Sequence, residues 1–80
     1  MPEDVGRQLE SLVKLLVDAP DEVAVFEVQE DAATVYEVEA AEDDVGKIIG
    51  RRGSTVRALR TVLDARAALD DELYELEVVD

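Results

Sequence analysis

Val45-Gly46-Lys47-Ile48-Ile49-Gly50-Arg51-Arg52-Gly53-Ser54-Thr55-Val56-Arg57-Ala58-Leu59 is the stretch on which the reading of this chain turns. Two glycines bracket two arginines, an aliphatic pair stands before them, and a helical run of apolar residues follows. The chain as a whole is acidic, with a formal charge of -13. Between Lys47 and Arg66, however, six cations (Lys47, Arg51, Arg52, Arg57, Arg60, Arg66) face one acid, Asp64, so this window carries +5 and the remainder -18. A reversal this sharp marks a localised anion site rather than an evenly coated surface.

The spacing has a physical sense. Glycines at both ends of a two-residue loop let the backbone turn sharply and approach a ligand with no Cβ in the way, and the helix that follows presents free N–H groups and the positive end of its dipole. Arg51 and Arg52 add cations at the tip, and Arg57 lies one turn into the next helix, within reach of a neighbouring phosphate. Taken alone the pattern is weak, because at a glycine frequency near 7% about a third of chains this long contain G-x-x-G by chance. A solvated helix-loop-helix corner satisfies it equally well.

Working outward, Val56, Leu59, Leu63 and Ala67 fall on one stripe and predict a long helix after the loop, capped by Gly53 or Ser54. Within it Arg60 reads as the partner of Asp64, four residues on, and Arg66 as a cation at the helix C-terminal end. Before the loop, Glu42, Asp43 and Asp44 form the acidic first turn of a short helix carrying Val45, Ile48 and Ile49, with Gly46 marking a tight helix contact. Val23 to Gln29 and Thr34 to Ala40 read as strands joined by Glu30, Asp31 and Ala32. Leu73 to Val79 alternates as a closing strand after the break at Asp70-Asp71-Glu72. At the front, Pro2, Glu3 and Asp4 open a helix whose apolar positions (Val5, Leu9, Leu12, Val13, Leu16) run to about Val17, stopped by Asp18-Ala19-Pro20-Asp21. The order is αββααβ. A strand, two helices and a strand imply a right-handed crossover and a parallel pair, so the sheet is expected to be mixed, with the hairpin partner antiparallel.

Composition bounds the function. Eighty residues suffice for one domain, since a chain of this size buries only about 60% of its unfolded surface. The chain has no cysteine and no histidine, which excludes thiol nucleophiles, imidazole bases, disulfides and most zinc or iron sites. Acids are plentiful but lie in runs, with no base, nucleophile or metal constellation beside them, so no enzyme, cofactor or metal is expected. No apolar run approaches the roughly 20 residues of a membrane span, and a cytoplasmic location is the expectation. The acid excess fits a saline cytosol, a base-composition bias or a solubility requirement equally.

The segment from Val45 to Leu59 resembles the core motif of KH domains, in which an apolar pair precedes a G-x-x-G clamp and apolar residues follow at fixed spacing. The αββααβ order is similar to the type II arrangement of that fold, an α+β architecture with a three-stranded mixed sheet covered on one face by three helices. The resemblance covers residues 1–80 as one KH domain, and the size and the helix-first order are similar to small bacterial KhpA-type proteins. It implies a non-enzymatic protein that holds single-stranded RNA, acting as an RNA chaperone or post-transcriptional regulator, with a site for about four nucleotides. Carried over residue by residue, Gly50 and Gly53 permit the close approach and Arg51 and Arg52 meet phosphates. Lys47 and Arg57 extend the track, and Ile48, Ile49 and Val56 border the apolar groove. With Ile49 and Val56 taken as the core pair, Ile48 is left facing the RNA. The resemblance also implies a homodimer, or a heterodimer with a larger KhpB-type KH protein, and with it a second reading as a protein-interaction module in which RNA contact is secondary.

Three features argue for weak, low-specificity binding. Asp70, Asp71, Glu72, Glu75 and Glu77 lie in the region that forms the far wall of the family's groove. Phe26, Tyr36 and Tyr74 are the only aromatics, and all sit in strands where burial is expected. The net charge opposes long-range attraction of RNA.

Overall fold

A computed structural model describes residues 4–79. Helix α1 spans Val5–Lys14 and is capped by Asp4, whose carboxylate accepts the Arg7 N–H at 3.3 Å. Asp4 thus stands outside the helix as its cap rather than in its first turn, and Pro2 and Glu3 lie outside the described residues. Val5, Leu9 and Val13 form the buried stripe. The helix ends three residues short of Val17, because the N–H groups of Leu15 and Leu16 turn to the carbonyls of Leu12 and Val13, tightening the last turn. A single 3₁₀ turn at Pro20–Glu22 then delivers the chain to the sheet.

Strands β1 (Ala24–Glu30) and β2 (Ala33–Glu39) pair antiparallel, with Val25 opposite Val38 and Glu30 opposite Ala33. The connection is therefore two residues, Asp31 and Ala32, and Asp31 takes a left-handed φ of 53° that aspartate tolerates in place of the usual glycine. Strand β3 (Leu73–Val78) pairs parallel with β2, Leu76 against Tyr36, giving the order β1-β2-β3 with β2 central. This is the mixed sheet expected from αββααβ.

The period of two sorts the side chains. Tyr36, Val38 and Leu76 face the helices and join Val5, Leu9, Val13, Ile48, Val56, Leu59 and Leu63 in one core, with Val25, Tyr74 and Val78 packed at its edge. Helix α2 (Val45–Ile49) and helix α3 (Ser54–Asp70) complete the covered face. All four positions of the Val56-Leu59-Leu63-Ala67 stripe are buried. The architecture is that of a type II KH fold. Helix α3 stops where Asp71 adopts φ 55°, sending the Glu72 N–H to the Ala67 carbonyl at 2.9 Å and the Asp71 N–H to that of Ala68 at 3.4 Å.

The register places Phe26, Val28, Val35, Glu37, Leu73, Glu75 and Glu77 toward the other, uncovered face. Phe26 is 48% exposed there, which corrects the expectation that all three aromatics are buried. As an edge-strand residue opposite Glu37, it has a neighbour on one side only.

Candidate nucleic-acid interface

The glycine loop is assembled from a very short helix and a very long one. Helix α2 has five residues, so its facing is decided by one turn: Ile48 is fully buried in the core and Ile49 is 39% exposed. This reverses the expected assignment. Ile48 pairs with Val56 in the core, and Ile49, one helical step of about 100° further on, faces outward. Gly46 has nothing within 4 Å of where a Cβ would stand, so it marks no tight contact.

At Gly50 the backbone takes φ 79° and ψ 171°, a region open essentially to glycine alone. A Cβ there would collide with the Thr55 side chain and come within 2.7 Å of the Thr55 backbone nitrogen. Gly50 N–H closes the last turn of α2 on the Gly46 carbonyl at 2.8 Å, and Gly53 N–H closes a 3₁₀ turn on the Gly50 carbonyl at 3.1 Å. Arg52 (φ 57°) and Gly53 (φ 74°) both lie in the left-handed region. Gly53 is the N-cap of α3, so no side chain caps the first turn.

Four cations surround this loop, and the structure divides them. Arg51 and Arg52 are exposed, and neither side chain has a hydrogen bond or ion pair among the described residues. Arg57 reaches back from α3 and donates from Nη1 to the Arg52 carbonyl at 2.8 Å, while the same nitrogen would lie 3.3 Å from a Cβ on Gly53. It braces the strained residue from inside the turn. Lys47 points away, its Nζ 3.3 Å from Asp18 and 3.4 Å from Asp44. Hydrogen bonds to Asp18 and Asp44 hold its pKa above the ordinary lysine range.

Asp44 is the residue that the acidic run concealed. Read as one of three solvated acids, it is 2% exposed, and its carboxylate accepts the N–H groups of Asp18 (3.3 Å) and Ala19 (3.0 Å) besides facing Lys47. Burial works against its charge, but those two N–H donors and Lys47 outweigh it and hold its pKa below the usual carboxylate range. The carboxylate thus ties the α1–β1 connection to the start of α2.

Along the middle of α3, Arg60, Leu63, Asp64, Tyr74, Glu75 and Leu76 line a groove of about 300 Å³ between that helix and the edge strand β3. The expected Arg60–Asp64 pair does not form. Arg60 instead spans the groove, its Nη2 3.4 Å from the Leu76 carbonyl, which β3 as an edge strand leaves unpaired on that side. Of the five acids expected on the far wall, only Glu75 lines this groove. Asp70 is bound by the Tyr74 hydroxyl at 2.6 Å and Arg66 Nε at 3.0 Å, Asp71 ends α3, Glu72 lines a different depression, and Glu77 sits opposite Glu37 toward the uncovered face. The bond to Asp70, with burial second, raises the Tyr74 pKa to about 12.

The family model described as KhpA/KhpB, KH domain matches residues 6–78. The chain belongs to this family. Among KhpA/KhpB relatives, a protein named RNA-binding protein KhpA from Borreliella burgdorferi is 44% identical over 72 residues, covering 90% of this chain and 88% of the relative. One of the same name from Clostridium acetobutylicum is 39% identical over 71 residues, covering 89% and 95%. A third, from Oceanobacillus iheyensis, is 42% identical over 71 residues with the same coverages. No solved structure matches the chain.

Within this KH domain, sequence reasoning missed Asp44, the bracing turn of Arg57 and the groove position of Arg60. The one signal for Asp44 was its place, immediately before the Val45-Gly46-Lys47 turn and one helical turn from a lysine.

Proposed function

We propose that this chain is a non-enzymatic KH protein of the cytoplasm, with residues 1–80 forming one domain, that holds single-stranded RNA by its backbone and serves as an RNA chaperone or post-transcriptional regulator. The observation that carries the reading is the Gly50–Gly53 loop: a glycine-only backbone at Gly50, and Arg51 and Arg52 at the tip with no partner among the described residues. In a chain of net charge -13, cations left unneutralised at a tight loop are a place for phosphates. The names of the KhpA relatives are consistent with it. Ile49, rather than Ile48, supplies the apolar border, Arg60 adds a cation in the groove, and Lys47 and Arg57 act mainly by holding the loop.

The test is fluorescence anisotropy of a labelled single-stranded RNA over a salt series. Arg51→Asp/Arg52→Asp abolishes binding while circular dichroism shows an intact fold; unchanged binding would refute the clamp. At about -0.7 per phosphate, contact with two to four phosphates gives a log–log salt slope of roughly -1.5 to -3.

A second reading, pairing between KH domains, is favoured by one feature of α3. Ala58, Val62, Ala65 and Leu69 are all exposed, Leu69 by 84%, and recur at intervals of four, three and four. They form a second apolar stripe beside the buried one. Antiparallel packing of two such helices sets the Arg57 and Arg60 end of one copy against the Asp70 and Glu72 end of the other, so a homodimer is the preferred partner arrangement and a larger KhpB-type protein the alternative. Light scattering across protein concentration tests this: Val62→Lys/Leu69→Lys holds the chain monomeric, and a wild type that is monomeric throughout removes the homodimer.

A further inference from the structure

The sheet face turned away from the helices carries a pattern that the RNA reading leaves unused. From β1 to β3 its cross-strand rungs are Phe26, Glu37 and Glu77, then Val28, Val35 and Glu75, then Glu30, Ala33 and Leu73. The apolar members of these rungs make one diagonal band, Phe26, Val28, Val35, Ala33 and Leu73, from one edge of the sheet to the other. At its two ends Phe26 is 48% and Leu73 60% exposed, while Val35 and Ala33 on the central strand are buried and form its floor.

Charge is sorted to the sides of this band. Glu37, Glu75 and Glu77 fill the corner on one side and Glu30 the corner on the other. None of the four has a hydrogen bond or ion pair among the described residues. The three strands hold no lysine or arginine, so all eight cations of the chain sit on helices or on the glycine loop. Glu37 and Glu77 stand directly opposite one another, which costs the sheet stability, and a cation laid across them relieves both. At the Leu73 end the band opens on a depression of about 270 Å³ lined by Glu30, Asp31, Ala32, Ala33, Leu73 and Glu75. Alanine and leucine there suit a methylene stem, and the three carboxylates suit a cation at its end.

Complementarity to both halves of this surface specifies the occupant. Unpaired carboxylates repel nucleic acid and anionic lipid, and no three of the described acids are placed to hold a metal ion. The apolar band, for its part, gives a small cation nothing to bind. A polypeptide with an apolar stripe beside a basic one matches band and carboxylates together, and a sheet buries an open apolar face most readily against a helix. By strand spacing and rise the band is about 16 Å long, the length of about three helical turns.

We propose that this face docks a basic amphipathic helix of a partner protein, its apolar stripe along the band from Phe26 to Leu73 and its lysines or arginines over Glu37, Glu75 and Glu77. The face lies across the sheet from the glycine loop, so the proposal stands whether or not that loop takes RNA.

The full chain, isotope-labelled, is titrated with a synthetic peptide of about fourteen residues that sets leucine at helical spacing and lysine on the flanks, while amide chemical shifts locate the contact. The expected result is a saturable response centred on residues 26, 28, 35, 37, 73, 75 and 77. A peptide of the same composition in scrambled order binds about tenfold more weakly, and one with glutamate in place of lysine does not bind. Phe26→Ser/Leu73→Ser and Glu37→Gln/Glu77→Gln each weaken binding about tenfold. The control pair Asp21→Asn/Glu22→Gln, which removes the same charge elsewhere, stays within about twofold.

Equal losses in the two charge pairs, or equal binding of the ordered and scrambled peptides, overturn the proposal, because general attraction to an acidic protein then accounts for the binding. Shifts centred on Leu12, Val62 and Leu69 overturn it as well, since they put the peptide in the apolar groove between α1 and α3. So does a response of the sheet face to protein concentration alone that Arg51→Asp/Arg52→Asp removes, because the occupant is then the basic loop of a second copy. If Phe26→Ser/Leu73→Ser does not fold, the glutamate pair, which removes two opposed charges from the sheet, decides.

Discussion

The two ends of α3 handle the same problems in opposite ways. Each requires a residue in the left-handed region at its cap, and each gathers charge. At the C-terminal end the cap is Asp71, its backbone relieved by two carbonyl hydrogen bonds, and the last turn is internally neutralised by Arg66, Asp70 and Tyr74. At the N-terminal end the cap is Gly53, the preceding glycine has no room for a Cβ, and two of the nearby arginines have no partner among the described residues. One end satisfies its charges internally; the other leaves them without a partner among the described residues and fixes their backbone instead, which is the feature on which the proposed RNA contact rests.

Substitutions that impose one end's chemistry on the other break or sharpen this contrast. The largest effect is expected of Gly50→Ala. The φ of 79° and the contact with Thr55 together lower stability by about 3 kcal/mol in urea unfolding and remove RNA binding with it. Next comes Asp44→Asn, which weakens the strut under the loop and lowers the urea midpoint at neutral pH. The sign of its pH dependence follows from the lowered pKa. The unfolded chain takes up the proton first, so the contribution of Asp44 is complete above the unfolded value of about 3.9 and is lost as pH falls through the lower folded value. Asp44→Asn therefore flattens the acid limb of stability below about pH 4; an acid limb identical to wild type would show that the carboxylate contributes nothing there. The smallest effect belongs to the other end, where Asp71→Gly relaxes the left-handed cap and raises stability by about 0.5 kcal/mol with RNA binding unaltered.

Where the physics is local and repeated, the fold was legible in the sequence. The 17 residues of α3 span nearly five turns, so Val56, Leu59, Leu63 and Ala67 declare its buried face, and β2 and β3 each alternate long enough to reveal theirs. Five residues of α2 make less than a turn and a half, and periodicity has no leverage over Ile48 against Ile49. Partners distant in the chain were invisible for a different reason. Asp44 is tied to Asp18, 26 residues away, and Arg60 to Leu76, 16 away; rules built on spacings of three and four assign such residues to the nearest opposite charge, as they assigned Arg60 to Asp64. The hairpin connection was legible at Asp31 and Ala32, but Glu30 belongs to β1 rather than to the turn, and the left-handed backbone of Asp31 had no glycine or asparagine to signal it. For the candidate site, the glycines and the tip arginines were readable as types, whereas the division into cations without a partner among the described residues (Arg51, Arg52) and bracing ones (Lys47, Arg57) depends on where long side chains settle.

The parallel pairing of β2 with β3 also sets a timetable. The hairpin partners lie close in sequence, but Tyr36 meets Leu76 across 40 residues, and everything between them, including both helices that carry the glycine loop, is the closure that this pairing must await. A chain emerging from synthesis can form its hairpin as soon as residue 39 is free. It has no seat for α3 until residues 73–78 arrive, because that strand supplies the outer edge of the surface on which α3 packs. The loop that carries Arg51 and Arg52 is thus made before the strand that completes the seat of its following helix, and it becomes rigid only once that strand has joined the sheet.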